Sequence, residues 1–432
     1  MAAQSQARSR SSPARGGVTS KQAGRADIPA YAWLVFALTF GLLISDYMAR
    51  QVLSAVFPLL KAQWSLSDSQ LGLLSGVVAA AVGILTFPIS LLADRLGRVK
   101  SIFVMAVLWS IATLLCGLAR TYHELLAARL LVGIGEAAYG SVGIAVIISV
   151  FPERLRATLT GAFMAAGLAG QVLGVAVGGA VAAAHGWRPA FLVIGIAGLA
   201  MAIVYPLAVK ENRLGHSIGR ARQRPKLADL RSLFAGVSLK CSYVASGLQL
   251  FVAAALPAWL PTYFVRYYAL PLSRATSLAA LFLAIGGAGM VLCGALSDRL
   301  IRSTQHVALL SAFYCLGCAL AMTMAFMLSP GPTQLLLLGI GMFLAAATAG
   351  PAGAIVASRT PDAFHGTAFA VLTLANNAFG LAPGPIVTGW VADRIGLMGA
   401  LQWLPFASLA AAAVFLVGSR STMPDIKAAE PA

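Results

Sequence analysis

The chain has 432 residues, 59% of them hydrophobic and only 10% charged, and its mean hydropathy is +0.83. A soluble domain is about a quarter charged, so a soluble globular protein is excluded and a polytopic α-helical membrane protein is indicated. The apolar runs are too long, and alternate too little, for barrel strands, and the net charge of +17 is spread in a way that excludes nucleic acid as its cause.

In chain order, residues 1–30 are rich in Ser, Ala, Gly and Arg without an apolar core, and read as a polar tail with no cleaved signal. Twelve apolar runs follow, near 31–58, 70–93, 101–119, 123–150, 158–183, 187–209, 239–265, 274–297, 306–328, 333–357, 365–391 and 399–419. Each is long enough to cross a hydrocarbon core of about 30 Å. One long polar stretch, 210–238, splits them into two sets of six, and 420–432 is a second polar tail. The expected organisation is a six-helix half over 31–209, a basic linker over 210–238 and a second half over 239–419.

If the N-terminus is cytoplasmic, 23 of the 31 Lys and Arg fall on that side and two lie within spans. The outer six are Lys61, Arg120, Arg188, Arg266, Arg274 and Arg394. This positive-inside bias places both termini and the linker in the cytoplasm, with the bacterial inner membrane as the expected location. Trp64, Trp187, Trp390 and Trp403 fall near outer span ends, as an interfacial aromatic belt requires. The five cysteines lie in or at the ends of spans; Cys315-x-x-Cys318 is read as packing, because it lacks the context of a redox or zinc motif.

Two loops repeat. Ser90-Leu91-Leu92-Ala93-Asp94-Arg95-Leu96-Gly97-Arg98 follows the second span, and Leu296-Ser297-Asp298-Arg299 follows the eighth, with Asp94 and Asp298 204 residues apart. A duplication with an even number of spans per half makes parallel repeats, related by an axis along the membrane normal. These loops, with Arg129-Leu130-Leu131-Val132-Gly133-Ile134-Gly135 in the fourth span, resemble the major facilitator superfamily over about residues 31–419. Ser90 and Ile301 replace glycines of the family's two loop copies, and the Gly-Pro of its antiporters is Gly174-Val175 here. In the family the first loop acid faces the start of span 11 and the second faces span 5. A helix N-terminus carries about half a positive charge. Asp94 and Asp298 would then latch the halves on the inner side, with Gly97 making the turn, Arg95, Arg98 and Lys100 in the inner interface and Arg299 the gating counterpart in the second copy; the alternative is a solvated turn.

Intramembrane charges face cavities and pair with one another. Span 1 carries Asp46 near its middle and Arg50 one turn on, about 6 Å further out at 1.5 Å per residue. Span 4, running the opposite way, carries Glu136 at a compatible depth and Arg129 further out, whereas the C-terminal spans have no charge at such depth. The first span and Gly135-Glu136-Ala137 resemble two branches of the family, the anion:cation symporters and the spinster-like group. Both commonly show N-Y-x-D-R in span 1; here the text is Asp46-Tyr47-Met48-Ala49-Arg50, so the Arg is in place and the acid is displaced by three residues. The expected assignments are Arg50 and Tyr47 on substrate, and Glu136 or Asp46 carrying a proton with Arg129 tuning it. Gln249, Asn376 and Asn377, with Tyr243, are uncharged cavity candidates from the second half. A buried network that only clamps spans 1 and 4 is the alternative.

The reading is a monomeric transporter that takes up a small organic anion with protons and needs no cofactor or metal. A lipid or drug exporter of spinster type and a non-transporting sensor of the same fold are alternatives. An enzyme is disfavoured, because the five His are scattered singly near span ends.

Overall fold

The computed structural model describes residues 29–214, 236–300, 303–361 and 364–420, with backbone alone at 94, 157 and 300. The first 28 residues, 215–235 of the linker and everything beyond 420 lie outside the described residues, as do Ile301 and the Asp94 side chain.

Among the described residues, eleven helical runs are long and apolar enough to cross a membrane, and the last, His365–Ser419, is two helices joined at Gly396, which makes twelve. The first half comprises α1 (Ala30–Trp64), α2 (Asp68–Leu96), α3 (Arg98–Leu118), α4 (Tyr122–Val150), α5 (Glu153–His185) and α6 (Trp187–Ala208). The second comprises α7 (Val237–Tyr267), α8 (Leu272–Leu300), α9 (Thr304–Met327), α10 (Pro332–Ser358), α11 (365–395) and α12 (397–419). No break in helix marks the turn from α11 to α12 except Gly396, at φ 79° and ψ 159°. The chain is thus an all-α polytopic membrane protein of two six-helix halves.

α1 runs past its expected end at 58, because Leu60 is buried and the chain turns only at Ser65, whose φ is +50°. The long helices α4 and α10 each break once in mid-span. α4 is interrupted after Glu136, resuming at Tyr139, and α10 after Ala345, resuming at Ala349. α11 carries a π-turn over Asn377–Leu381 just before Pro383 and Pro385.

Two observations on packing bear on the site. The α5 glycines form the face that lies on α1: a Cβ on Gly170 would stand 2.6 Å from the Ile44 carbonyl oxygen, and one on Gly174 2.9 Å from Met48 Cα. Small residues let helix backbones approach in this way where lipid supplies no hydrophobic drive. Gly97, at φ +86°, makes the turn from α2 to α3, a region that disfavours side chains. The Glu211 carboxylate then accepts from the backbone N–H groups of Arg98 (3.0 Å) and Val99 (2.7 Å), capping α3.

The side of the membrane on which the described chain begins and ends is called the near end here, and the other the far end. The halves meet at the far end, where Gly72 of α2 packs on Pro385 of α11 and Gly179 of α5 on Thr276 of α8. Contact continues to mid-depth, where Gly83 packs on Asn377 and Gln51 donates to the Pro257 carbonyl at 3.4 Å. Toward the near end, Leu91, Leu92, Arg95 and Leu96 of α2 and Leu292, Leu296, Asp298 and Arg299 of α8 are exposed.

Candidate substrate and coupling site

The charges of α1 and α4 converge. Arg50 donates through Nη2 (2.6 Å) and Nε (3.0 Å) to one oxygen of Glu136, Oε2. The Glu136 side chain is fully buried, whereas that of Arg50 retains 23% of its exposure. The pair therefore presents its guanidinium, not its carboxylate, to the surroundings. The Tyr47 ring flanks Arg50, with Cζ 5.3 Å from the ring centroid, a cation–π contact. Tyr47 itself fills the gap left by Gly167 and Gly170 of α5.

Asp46 is buried one turn before Arg50 and lies against Glu136. Among the described residues, Asp46 Oδ1 and Glu136 Oε1 are buried with no hydrogen-bond donor. An unsatisfied buried acceptor costs about 1–3 kcal/mol, more when charged.

Arg129 stands apart from this pair. It is fully buried, and all three of its described hydrogen bonds go to backbone carbonyls: Ala49 (2.9 Å) and Arg50 (3.1 Å) on α1, and Leu74 (3.3 Å) on α2. One side chain of α4 thus ties α1 and α2, and it holds the very turn of α1 that carries Arg50.

The C-terminal candidates are placed less centrally. Gln249 is fully buried, its amide donating to the Ala345 carbonyl (3.1 Å) at the break in α10. Asn377 is buried at the π-turn, donates to Thr373 (2.9 Å) and abuts Gly83 of the other half. Asn376, half-buried on the same turn, has its side-chain oxygen without a donor among the described residues. Tyr243 packs with Leu239, Val356 and Leu372 inside the second half. The structure therefore brings Asp46, Tyr47, Arg50 and Glu136 together and leaves Gln249 and Tyr243 in helix packing. Cys315 and Cys318 are free thiols, both buried.

Sequence reasoning overlooked a second charged cluster. At the far end, Asp68 accepts from Lys61 of α1 and from both Nη atoms of Arg266 of α7, while Asp393 of α11 caps the first N–H groups of α2. The signals were present. Ser67-x-x-Gln70 is a capping box that opens α2, and Lys61 and Arg266 are two of the six outer basic residues.

The comparisons agree with this architecture. The model of the Major Facilitator Superfamily matches residues 39–385. The probable L-galactonate transporter of Escherichia coli (strain K12) is 28% identical over 326 residues, 71% of this chain and 71% of that one. The sphingosine-1-phosphate transporter SPNS2 of Danio rerio is 29% identical over 313 residues, covering 68% of this chain and 62% of its own. A crystal structure of a bacterial homolog of the human lysosomal transporter spinster, inward-facing and unoccupied, superposes with a TM-score of 0.81 at 22% identity, over 91% of this chain and 98% of its own. With a family model spanning most of its length and the fold to match, the chain belongs to the Major Facilitator Superfamily of membrane transporters.

Proposed function

We propose that the chain takes up a small organic anion together with protons, with Arg50 as the anion contact and the Glu136–Asp46 pair as the proton carrier. The observation that carries this reading is the Arg50–Glu136 bridge, whose guanidinium is partly exposed while its carboxylate is sealed beside a second acid. An anion arriving at Arg50 competes with Glu136 for the same donors. Once Glu136 loses them, its charge is uncompensated in a dry site, and a proton must enter. Substrate and proton thus load together without touching one another.

The near end is the cytoplasmic one in this reading, as the Lys and Arg asymmetry supports, and the membrane is the bacterial inner membrane. Asp94 and Asp298 would latch that end when the far end opens. The relatives named above carry a sugar acid and a phosphorylated lipid, so both are anion transporters by name and both suit Arg50. Export of an anionic lipid is the second reading, favoured by the likeness to the sphingosine-1-phosphate transporter.

A thermal-shift screen of the purified protein against carboxylic acids, sugar acids and lysophospholipids separates the two. A ligand at 100 times its Kd adds about 2.7 kcal/mol of stability. Stabilisation by carboxylates that disappears in Arg50→Ala supports uptake of an organic acid; stabilisation by lysophospholipids alone moves the assignment to lipid export; and ligand shifts that persist in Arg50→Ala refute the anion contact.

A further inference from the structure

The far-end cluster joins both halves at a single helix terminus. Asp68 is the first residue of α2, and its carboxylate accepts from Arg266 Nη1 at 2.9 Å and Nη2 at 2.7 Å, a two-pronged bond from α7. Asp393, on α11, approaches the same terminus from the other side. It accepts from the N–H of Asp68 at 2.7 Å, from the N–H of Ser69 at 2.9 Å, and from the Ser69 hydroxyl. A negative side chain at a helix N-terminus satisfies orphan donors and meets the positive end of the helix dipole. The second half thus grips the start of α2 with one cation and one anion, and Gly389, packed on the Asp68 backbone, lets α11 come that close.

The same terminus carries a second set of partners, all from its own half. Lys61 of α1 donates to Asp68 at 2.6 Å. The Ser67 side chain accepts from the N–H of Gln70, and the Gln70 side chain accepts from the N–H of Ser67. If α7 and α11 withdraw, Asp68 keeps a cation and α2 keeps a cap. Neither a bare buried carboxylate nor an uncapped helix is left behind, and both would be expensive.

We infer that Arg266 and Asp393 are the two arms of a releasable far-end latch on the N-terminus of α2, holding the far end shut, with Lys61 and the Ser67–Gln70 box as the partners that make release affordable. The halves of a transporter that works by alternating access must part here to open the far end. Both arms then break together, since both grip one helix start. The latch favours the closed state by the strength of its charged hydrogen bonds, reduced by the partial exposure of Arg266, whose side chain keeps 28% of its surface.

The test measures distances in the full-length protein in lipid nanodiscs by double electron–electron resonance. Spin labels go at positions 120 and 329 for the far end, and at 100 and 305 for the near end, all exposed sites. Arg266→Gln and Asp393→Asn remove one arm each. Each is expected to lengthen the 120–329 distances and shorten the 100–305 distances, raising the far-end-open share roughly tenfold, the scale of one lost charged hydrogen bond. Arg266→Lys keeps the charge but loses one prong, and should fall between parent and Arg266→Gln. Asp393→Asn guards against a folding failure of the Arg266 variant, and the reverse. If either monodisperse variant gives the parent's distributions at both ends, the latch is overturned.

Discussion

At mid-depth the two halves solve one problem in two ways. α4 and α10 both break there, after Glu136 and after Ala345. In the first half a side chain of α1, Arg50, meets the break through the Glu136 carboxylate; in the second a side chain of α7, Gln249, meets it through the Ala345 carbonyl. The amide bond shows that this fold can hold such a break with neutral groups. In the proposed function the charges of the first half do more than repair the helix. They sit where a neutral pair would suffice structurally, which is the argument for giving them work in transport.

The sharpest way to test that contrast is to make the first half resemble the second. Glu136→Gln replaces the carboxylate by an amide. Accumulation of substrate driven by a pH gradient into proteoliposomes should be lost, while exchange of labelled substrate across the membrane persists. Asp46→Asn is the companion variant: if it alone abolishes accumulation and Glu136→Gln does not, the carrier is the acid of α1. Next in size is Arg50→Lys, which keeps the charge and removes the planar fork; affinity for a confirmed anion should fall roughly ten- to hundredfold by titration calorimetry. Packing offers a third contrast. Gly170→Ala drives a Cβ into the α1 backbone and should destabilise by about 1–3 kcal/mol. Gly294→Ala, with nothing within 4 Å of the added carbon, should leave the melting temperature level or slightly raised. Smallest is Gln249→Leu, expected to cost about 1 kcal/mol of stability through the lost bond to Ala345. It should leave anion affinity at the parent value, and a marked loss of affinity would return Gln249 to the binding site.

The sequence discloses the spans and the intramembrane charges plainly, because bilayer thickness and charge desolvation act on short stretches of chain. Arg50 with Glu136 could be paired from depth alone, since antiparallel helices of known direction leave few options. Contacts set by rotation about a helix axis were less legible. Gln249 and Asn377 are polar residues in apolar spans, and nothing in their spacing tells whether they face a cavity or a neighbouring helix. Arg129 looked like a partner for the carboxylates and instead binds carbonyls, a partner type present at every residue and therefore invisible to pattern. The latch at Asp68 went unseen for another reason. Its members come from α1, α2, α7 and α11, and only the closure of the two halves brings them together.

Arg129 also bears on how the chain is made. A guanidinium in the bilayer costs at least about 2.5–3.5 kcal/mol on insertion scales, and a helix synthesised alone would carry that burden by itself. The three carbonyls that receive it belong to Ala49, Arg50 and Leu74, on helices synthesised earlier. When α4 emerges during biosynthesis, its docking surface is already in the membrane. Arg50 is the opposite case: it lies on α1 and its acceptor Glu136 on α4, so two further spans are synthesised before its partner appears. The order of the helices along the chain thus serves the two arginines differently: Arg129 emerges to acceptors already made, whereas Arg50 precedes its own.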